Sequence, residues 1–234
     1  MSRCVALLAA ALALVGCGQP SSAGPVVFAA SSLSEVLQDV GTEATFSFDG
    51  SSGLLDQLAG GAPADVFASA DRAVMQRAVD AGLVVDDPVM FATNRLVIAV
   101  PRGNPAGVTG FDESLNRGKL VTCAVEVPCG AAARRLADAA GLELRPVSEE
   151  SGVADVLGKV ASGEADAGLV YATDAVASTA VESIEITGAR DEPNTYWVAV
   201  VVDAPHPDAA GRFIDDLTGP WQEDLRAAGF GPPQ

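Results

Sequence analysis

The sequence has little positive charge. Its 234 residues include 14 lysines and arginines against 31 aspartates and glutamates, and the formal net charge is −17. This argues against a nucleic-acid partner, because the chain offers no basic patch that could displace counterions from phosphates. The same acidity provides no long-range attraction for an anion. An anion site in this chain must therefore be built from local hydrogen-bond donors.

Histidine and cysteine are also scarce. His206 is the single histidine, and the four cysteines are Cys4, Cys17, Cys123 and Cys129. So few nitrogen and sulfur ligands do not complete a site for a metal cation, and we expect neither such a site nor a cofactor. Outside the cytoplasm a disulfide between Cys123 and Cys129 is the expected pairing. Closing so short a loop contributes on the order of 2 kcal/mol of stability.

No apolar run is long enough to span a bilayer. The run at residues 5–15 follows the positively charged Arg3 and ends at Gly16-Cys17, a pattern typical of a bacterial lipoprotein signal. We expect residues 1–16 to be a signal peptide, Cys17 to be lipidated and residues 17–25 to form a flexible tether. The alternative is an ordinary secretory signal with an incidental Cys17. The lipoprotein interpretation places the protein outside the cytoplasm, anchored to the cell membrane.

What the chain does contain is a set of strands that lead directly into helices. Residues 26–30 form an apolar run typical of a buried strand, and apolar residues then recur at helical spacing from Leu33. Ser32 stands at the predicted N-cap with Glu35 three residues later, the pattern of a capping box. Ser31 and Ser32 thus lie where free N–H groups and the helix dipole favour an anion. The alternative is that Ser32 only caps the helix.

The same arrangement recurs along the chain. A strand at 44–48 leads into Ser51 and Ser52 at the start of a helix, and strands and helices alternate after it. This alternation predicts an α/β fold with open, mostly parallel sheets flanked by helices. Two such lobes would bring strand ends and helix starts to one cleft. The predicted boundaries are 26–94 with 199–234 for the first lobe, and 95–198 for the second.

Several uncharged groups would meet at that cleft. They are the serines Ser31, Ser32, Ser51 and Ser52, the helix starts at Cys129 and Val153, and the phenol of Tyr171 at the end of a predicted strand. Such groups would hold an anion through hydrogen bonds alone. A carboxylate in contact with a dianion would repel it. We therefore interpret Asp65, Asp71 and Asp174 as caps and turn residues.

Six short motifs, in this order, resemble a known family. They are Val27-Phe28-Ala29-Ala30-Ser31-Ser32-Leu33, Phe48-Asp49-Gly50-Ser51-Ser52-Gly53, Gly61-Ala62-Pro63-Ala64-Asp65-Val66-Phe67-Ala68-Ser69-Ala70-Asp71, Asn94-Arg95-Leu96-Val97, Val127-Pro128-Cys129-Gly130, and Gly168-Leu169-Val170-Tyr171-Ala172-Thr173-Asp174-Ala175-Val176. The chain is similar to the substrate-binding lipoproteins of bacterial molybdate ABC transporters, which have the type II periplasmic-binding-protein fold. The resemblance covers essentially the whole chain after the signal.

The resemblance implies a site, a ligand and a partner. Ser32 and Ser51 would donate from hydroxyl and N–H, Cys129 and Val153 from backbone N–H, and Tyr171 from its hydroxyl, with Ser31 and Ser52 as adjacent candidates. Cys129 stands where the family has alanine, which leaves a backbone donor intact. The ligand would be molybdate or tungstate, delivered by a monomer to a membrane permease. The lobes would close by a hinge near residues 93–100 and 195–201.

Two other functions remain open at this point. One is a carrier of another tetrahedral oxyanion, such as sulfate or thiosulfate. The other is a secreted serine hydrolase, although Gly50-Ser51-Ser52-Gly53 lacks the Gly-x-Ser-x-Gly pattern of a nucleophile elbow. Its only possible base, His206, lies between two prolines in a predicted loop, where we expect it to be solvated. A binding protein is therefore predicted rather than an enzyme, whether it serves transport or sensing.

Overall fold

The structure is a computed structural model and describes residues 24–234. The predicted signal peptide (1–16), the predicted lipidation site Cys17 and most of the predicted tether (17–25) lie outside the described residues. In chain order the strands are β1 (Val26–Ala30), β2 (Thr45–Asp49), β3 (Val66–Ser69), β4 (Val89–Asn94), β5 (Leu96–Pro101), β6 (Leu120–Cys123), β7 (Ser148–Glu150), β8 (Ala167–Tyr171), β9 (Val181–Glu185) and β10 (Asn194–Val200). The α-helices are α1 (Ser34–Asp39), α2 (Ser51–Ala59), α3 (Arg72–Asp80), α4 (Pro128–Ala140), α5 (Val153–Ala161), α6 (Ala172–Ala177), α7 (Pro207–Thr218) and α8 (Gln222–Ala227), and short 3-10 helices span Ser31–Leu33 and Glu113–Arg117.

The strands form two five-stranded sheets, in the orders β2-β1-β3-β10-β4 and β7-β6-β8-β5-β9. In the first sheet β1 is parallel to β2 and β3, while β10 runs antiparallel to β3 and β4. In the second sheet β6 is parallel to β7 and β8, while β5 runs antiparallel to β8 and β9. Four of the five strands in each sheet therefore run in one direction, and only β10 and β5 run against them, which confirms the prediction of mostly parallel sheets. The antiparallel strands β5 and β10 enter their sheets from the other sheet, so no helical crossover sets their direction.

Helices cover both faces of the first sheet, which explains why its strands read as continuous apolar runs. Val27 and Ala29 are fully buried and pack into one hydrophobic cluster. Phe28, between them, points to the opposite face and packs into a second cluster with Leu54 and Met75 of α2 and α3. In the second sheet α4 and α5 pack against β6 and β8. We call each sheet with its helices a lobe.

The chain crosses between the lobes at two places. It leaves the first lobe through Arg95, between Asn94 of β4 and Leu96 of β5. It returns before Asn194, because all of β10 pairs within the first sheet. The predicted boundary at 198/199 falls inside β10 and is therefore too late. The apolar run that contains β10 gave no sign of where the strand enters the sheet.

No helix within residues 24–234 has both the length and the apolar character needed to cross a bilayer.

Candidate functional site

The two sheets face each other at the edge where their parallel strands end. A small cavity lies between them. It is lined by Ala30, Ser31, Ser32, Asp49, Gly50, Ser51, Ala70, Val127, Pro128, Cys129, Ser151, Gly152, Val153 and Tyr171. Both lobes contribute, since the residues come from the ends of β1, β2 and β3 on one side and from the ends of β7 and β8 and the starts of α4 and α5 on the other. All the predicted site residues line this cavity except Ser52.

The lobes touch beside the cavity. A Cβ atom on Gly50 would lie only 2.1 Å from the carbonyl oxygen of Ser151, so the two backbones approach as closely as glycine permits. Ser52 Oγ donates a hydrogen bond of 2.9 Å to the carbonyl oxygen of Glu126 in the second lobe. This arrangement corresponds to a closed cleft. It also explains why Ser52 does not line the cavity, because its hydroxyl proton is already used between the lobes.

Ser32 does not cap a helix, and the predicted capping box is wrong. The chain makes a 3-10 turn at Ser31–Leu33 before α1 begins at Ser34, and neither of these starts has a side-chain cap. Ser32 therefore lies upstream of the helix, where it is 6% exposed and its Oγ is 2.9 Å from Tyr196 Oη. Ser31 is less buried and lines the same cavity.

Ser51 is the first residue of α2 and is almost fully buried. Its Oγ accepts a hydrogen bond of 3.0 Å from the backbone N–H of Ala70, at the end of β3. Since the first bond within this helix runs from Leu54 N–H to the Gly50 carbonyl, the N–H groups before Leu54 have no carbonyl partner in the helix. Ser51 thus brings both a hydroxyl and a free N–H to the cavity.

Cys129 and Val153 bring backbone donors from the second lobe. Cys129 follows Pro128 at the start of α4, whose first helical bond is made by Ala131, and Val153 is the first residue of α5. Their side chains are buried. Cys129 is bonded to Cys123 in a disulfide, which ties the start of α4 to the end of β6. The site therefore takes main-chain N–H groups from both positions.

Three of the helices that begin at the cavity share one property, which is that their N-caps provide no side-chain hydrogen bond. The N-cap residues are Gly50 for α2, Val127 for α4 and Gly152 for α5. By contrast, Asp71 caps α3 and accepts a hydrogen bond of 2.8 Å from Val74 N–H. The positive ends of three helix dipoles therefore converge on the cavity with their N–H groups unused by caps.

Tyr171 ends β8 and is 1% exposed. Its Oη accepts a hydrogen bond of 2.7 Å from Asn194 Nδ2. Burial raises the pKa of the Tyr171 phenol well above its usual value, so the hydroxyl keeps its proton and can donate it. Asp174 accepts a hydrogen bond of 3.0 Å from Tyr171 N–H, which agrees with its predicted role near a helix start. Burial also raises the pKa of Asp174, to about 7.

No lysine or arginine of the described residues lines the cavity, so the lining has no positively charged side chain. The one charged group is Asp49, whose Oδ1 accepts from Gly50 N–H and whose Oδ2 accepts from Gln57 Nε2. Residues 24–234 also contain no cluster of three histidine, cysteine or carboxylate side chains that could hold a metal cation. The cavity is suited chemically to an ion that accepts many hydrogen bonds and is held by uncharged groups.

Comparison with known proteins assigns the chain to a family. The sequence profile of a family described as bacterial extracellular solute-binding protein matches residues 26–231. The molybdate-binding protein ModA of Mycobacterium tuberculosis is 41% identical, with the match covering 97% of this chain and 95% of that relative. The chain belongs to the bacterial extracellular solute-binding protein family.

Solved structures share the fold of this solute-binding protein. The periplasmic molybdate-binding protein of Azotobacter vinelandii matches with a TM-score of 0.73 at 21% identity, covering 89% of this chain and 99% of that one. The sulfate-binding protein SubI of Mycobacterium tuberculosis matches with a TM-score of 0.68 at 20% identity, covering 89% and 86% respectively. At these identities the likeness establishes the two-lobed α/β fold. It does not identify the anion that the site binds.

Two polar residues of this solute-binding protein lie behind the cavity and were not predicted. Asn194 and Tyr196 are on β10, 3% and 0% exposed, and contact Tyr171 and Ser32 respectively. The sequence around them reads as an apolar strand. The only available signal was the presence of an asparagine and a tyrosine at alternate positions, which places both side chains on the same face of the strand.

His206 lies in the loop before α7 with its side chain 35% exposed, as predicted, but it also has a partner that was not predicted. Its backbone N–H donates to Asp65 Oδ1, and its ring Nδ1 lies 3.2 Å from Asp65 Oδ2, which also accepts from Val26 N–H. Asp65 is fully buried and so joins the starts of β1 and β3 to the loop before α7, a larger role than a turn residue. This pair lies at the opposite end of the first sheet from the cavity. His206 is therefore remote from Ser32 and Ser51.

Proposed function

We propose that this protein captures molybdate, and tungstate with it, outside the cytoplasm and delivers the ion to the permease of an ABC transporter. The observation that carries this proposal is the cavity between the lobes, where three uncapped helix starts and three buried or nearly buried hydroxyls converge without a positive side chain. The 41% identity to a protein named for molybdate binding supports the choice of ion.

The proposed ligands are the hydroxyl and N–H of Ser32 and Ser51, the N–H of Cys129 and Val153, and the hydroxyl of Tyr171. Hydrogen bonds to a charged group contribute about 1.5–3 kcal/mol each. Seven of them exceed the ~8 kcal/mol of micromolar binding, which leaves a margin for desolvation and for closing the lobes. Neutral donors are therefore sufficient for tight binding of a dianion. Ser31 is the adjacent candidate, and Ser52 is better explained by its bond between the lobes.

The chemistry of the donors favours a fully deprotonated oxyanion. Molybdate, tungstate and sulfate accept hydrogen bonds at every oxygen at neutral pH. Protonated phosphate carries an O–H that needs an acceptor, and a site made of donors leaves that O–H unpaired at a cost in affinity. Sulfate is the competing ligand, because a protein named for sulfate binding has the same fold. Molybdate and sulfate differ in size rather than in hydrogen bonding.

Isothermal titration calorimetry with molybdate, tungstate, sulfate and thiosulfate tests the proposal. We expect molybdate and tungstate to bind with micromolar or tighter affinity, and sulfate and thiosulfate to bind much more weakly. Tighter binding of sulfate or thiosulfate would assign the protein to another oxyanion. Absence of binding for all four ions would reject the proposed function.

We further propose that the lobes open and close by rotation at the crossings near residues 93–100 and before Asn194. The second crossing replaces the predicted hinge at 195–201, because β10 pairs entirely within the first sheet. The contact of Gly50 with Ser151 belongs to the closed form and must separate for an ion to enter. Small-angle scattering should give a smaller radius of gyration with molybdate than without it. Identical profiles in the two conditions would contradict the closure.

Membrane attachment through a lipidated Cys17 and a monomeric state are parts of the same proposal. Both fit an extracytoplasmic carrier that docks on a permease. Replacing Cys17 by alanine should release the protein from the membrane fraction, and retention there would contradict the anchor. Sedimentation velocity should give a single species of monomer mass.

We infer no catalytic role. A serine hydrolase needs a base next to its nucleophile, and the single histidine of the chain, His206, is paired with Asp65 at the far end of the first sheet. A His206→Ala variant should therefore keep wild-type affinity for molybdate, and a loss of binding in a folded His206→Ala variant would oppose this interpretation.

A further inference from the structure

Three of the hydroxyls that line the cavity, those of Ser32, Ser51 and Tyr171, each have a hydrogen-bond partner in the protein behind them. For Ser51 the direction is certain, because its partner is the backbone N–H of Ala70, which can only donate. A hydroxyl whose oxygen already accepts a hydrogen bond from the protein still has its own proton to give. Ser51 therefore has its proton available for an acceptor in the cavity.

The same holds for Tyr171, and here the direction is set by Asn194. The amide of Asn194 contacts two groups, the Tyr171 hydroxyl at 2.7 Å and the carbonyl oxygen of Ala70 at 3.3 Å. A carbonyl oxygen can only accept, so the amide nitrogen and not the amide oxygen must face both partners. The Tyr171 oxygen consequently accepts from Asn194, and its proton is left for the cavity.

Ser32 is supported in the same way by Tyr196. The Tyr196 hydroxyl is fully buried and lies 2.9 Å from Ser32 Oγ, and either oxygen can donate in this pair. An ion that only accepts will take the proton of Ser32. Tyr196 must then donate to Ser32, and the chain Tyr196 to Ser32 to anion runs in one direction, which strengthens each bond in it.

We propose that Asn194 and Tyr196 are positioning residues that fix the hydrogen-bond direction of Tyr171 and Ser32, so that both hydroxyls donate to the bound anion and neither accepts from a protonated oxyanion. The inference rests on the proposed function, since it assumes an oxyanion in this cavity. Without these two residues the hydroxyls of Tyr171 and Ser32 could rotate and accept a proton from the ligand. The site would then tolerate a ligand O–H.

The Tyr196→Phe variant tests this inference. It keeps the buried ring, which packs edge-on against Phe91, Tyr171 and Phe230, and removes only the hydroxyl. That hydroxyl lies behind Ser32 and also neighbours Asn94 and Tyr171. The quantity to measure is the ratio of the affinities for molybdate and for inorganic phosphate at pH 6, where phosphate carries protons, with phosphate measured by competition. We expect molybdate affinity to fall about 2- to 10-fold, as for loss of one neutral hydrogen bond, and phosphate affinity to stay level or rise.

A purely structural role would lower both affinities by the same factor and leave the ratio unchanged, and that result would overturn the inference. Thr195→Val is the matched control, because it removes a hydroxyl of the same strand whose partner is Trp197 Nε1 and not a cavity residue. It should leave the ratio at its wild-type value. Thermal melting followed by circular dichroism establishes that each variant is folded.

Asn194→Asp provides a second test that does not depend on Tyr196. The new carboxylate would accept the proton of Tyr171 and withdraw it from the cavity, so molybdate affinity should fall by more than in Tyr196→Phe. Its added charge would also repel the anion, and the Tyr171→Phe background separates the two effects. A smaller loss in that background supports action through the Tyr171 proton, and an equal loss contradicts it.

Failure of this inference is distinguishable from failure of the proposed function. If the wild-type protein does not bind molybdate, the proposed function is wrong and the inference falls with it. If the wild-type protein binds molybdate tightly, Tyr196→Phe keeps the wild-type ratio of molybdate to phosphate affinity, and Asn194→Asp loses equal affinity in both backgrounds, the proposed function stands and the inference alone is wrong.

Discussion

Two helix starts in this molecule have nearly the same backbone conformation and opposite chemistry. The N-cap of α3, Asp71, has φ −156° and ψ 165°, and the N-cap of α5, Gly152, has φ −154° and ψ 158°. Asp71 uses its carboxylate to satisfy an N–H group of its own helix, whereas Gly152 has no side chain to do so. The residue at the N-cap, rather than the path of the backbone, therefore decides whether a helix start is free to bind an anion.

The largest effect on molybdate affinity is expected when the start of α5 is given an aspartate cap like that of α3. In Gly152→Asp the carboxylate should cap α5 as Asp71 caps α3, and it would place a negative charge beside the bound dianion. We expect at least about a 1000-fold loss of molybdate affinity, equivalent to ~4 kcal/mol, with thermal stability equal to or above wild type. Calorimetry and thermal melting measure the two quantities.

Gly152→Ala is the control for Gly152→Asp. A Cβ at this position would have its nearest neighbour, Gly50 N, at 3.5 Å, an ordinary contact distance, so alanine should fit with little loss of affinity. If Gly152→Asp still bound molybdate as tightly as Gly152→Ala, the free start of α5 would have no part in binding.

The start of α6 differs from the starts of α3 and α5 because its contribution to stability depends on pH. Burial raises the pKa of its third residue, Asp174, from 3.8 to about 7, with the nearby Glu35 contributing repulsion after burial. Between these values the folded protein holds a proton that the unfolded chain has lost, so this group's contribution to stability declines as pH rises from about 4 to about 7. Asp174→Asn should remove that decline and be more stable than wild type at pH 8, by on the order of 4 kcal/mol.

Urea unfolding at pH 5 and pH 8 measures this effect of Asp174→Asn. The gain in the free energy of unfolding should be larger at pH 8 than at pH 5. A gain that does not depend on pH would show that Asp174 does not titrate in this range. The neutral amide oxygen can still accept from Tyr171 N–H, so the start of α6 should be preserved.

The adjacent serines of α2 give a smaller contrast. Ser51→Ala removes a hydroxyl whose proton is available for an acceptor in the cavity, so molybdate affinity should fall about 10- to 150-fold, the loss of one hydrogen bond to a charged group. Ser52→Ala removes a neutral bond to the carbonyl of Glu126 across the lobes, and a loss of about 2- to 10-fold is expected. Equal losses in calorimetry would mean that the two hydroxyls do not differ in role.

Ser114→Ala is the matched control for Ser51→Ala. Ser114 is buried, and its Oγ accepts a hydrogen bond from Thr109 N–H in the second lobe, as the Oγ of Ser51 accepts from Ala70. Ser114 does not line the cavity. Ser114→Ala should therefore share any loss of stability with Ser51→Ala and keep the wild-type affinity for molybdate.

The smallest effect is expected at the capped start. Asp71→Ala should lower the free energy of unfolding by about 1 kcal/mol, the usual value of an N-cap, and leave molybdate affinity nearly unchanged. Urea unfolding and calorimetry measure the two quantities. We expect the capped start of α3 to contribute to stability alone and the uncapped starts to contribute to molybdate binding. A large loss of molybdate affinity in Asp71→Ala would contradict this.

The groups that face the anion could be predicted from the sequence because they lie where a strand ends or a helix begins, and such positions are marked by nearby residues. The apolar runs before Ser31 and Ser51 mark the strand ends, and the apolar spacing after Val153 marks a helix start. The exact role of Ser32 could not be predicted in the same way. A 3-10 turn replaces the first turn of the expected helix, so the capping pattern of Ser32 and Glu35 is present in sequence and absent from the structure.

The supporting side could not be predicted, because it depends on strand order. Tyr196 is 164 positions from Ser32 and reaches it because β10 inserts beside β3 in the first sheet. The same long-range insertion makes the sheets mixed and places the second crossing before Asn194. The pairing of His206 with Asp65 is likewise a contact between distant segments. No local pattern of residues encodes any of these contacts.

The most direct test of the account is a crystal structure of the protein with tungstate, whose heavy atom is located without ambiguity by anomalous scattering. We predict one ion between the lobes, within hydrogen-bond distance of the hydroxyls of Ser32, Ser51 and Tyr171 and of the N–H groups of Cys129 and Val153. No lysine or arginine should touch it. An ion bound elsewhere, or held in the cleft by a basic side chain, would contradict the central claim that uncharged donors at uncapped helix starts bind the anion.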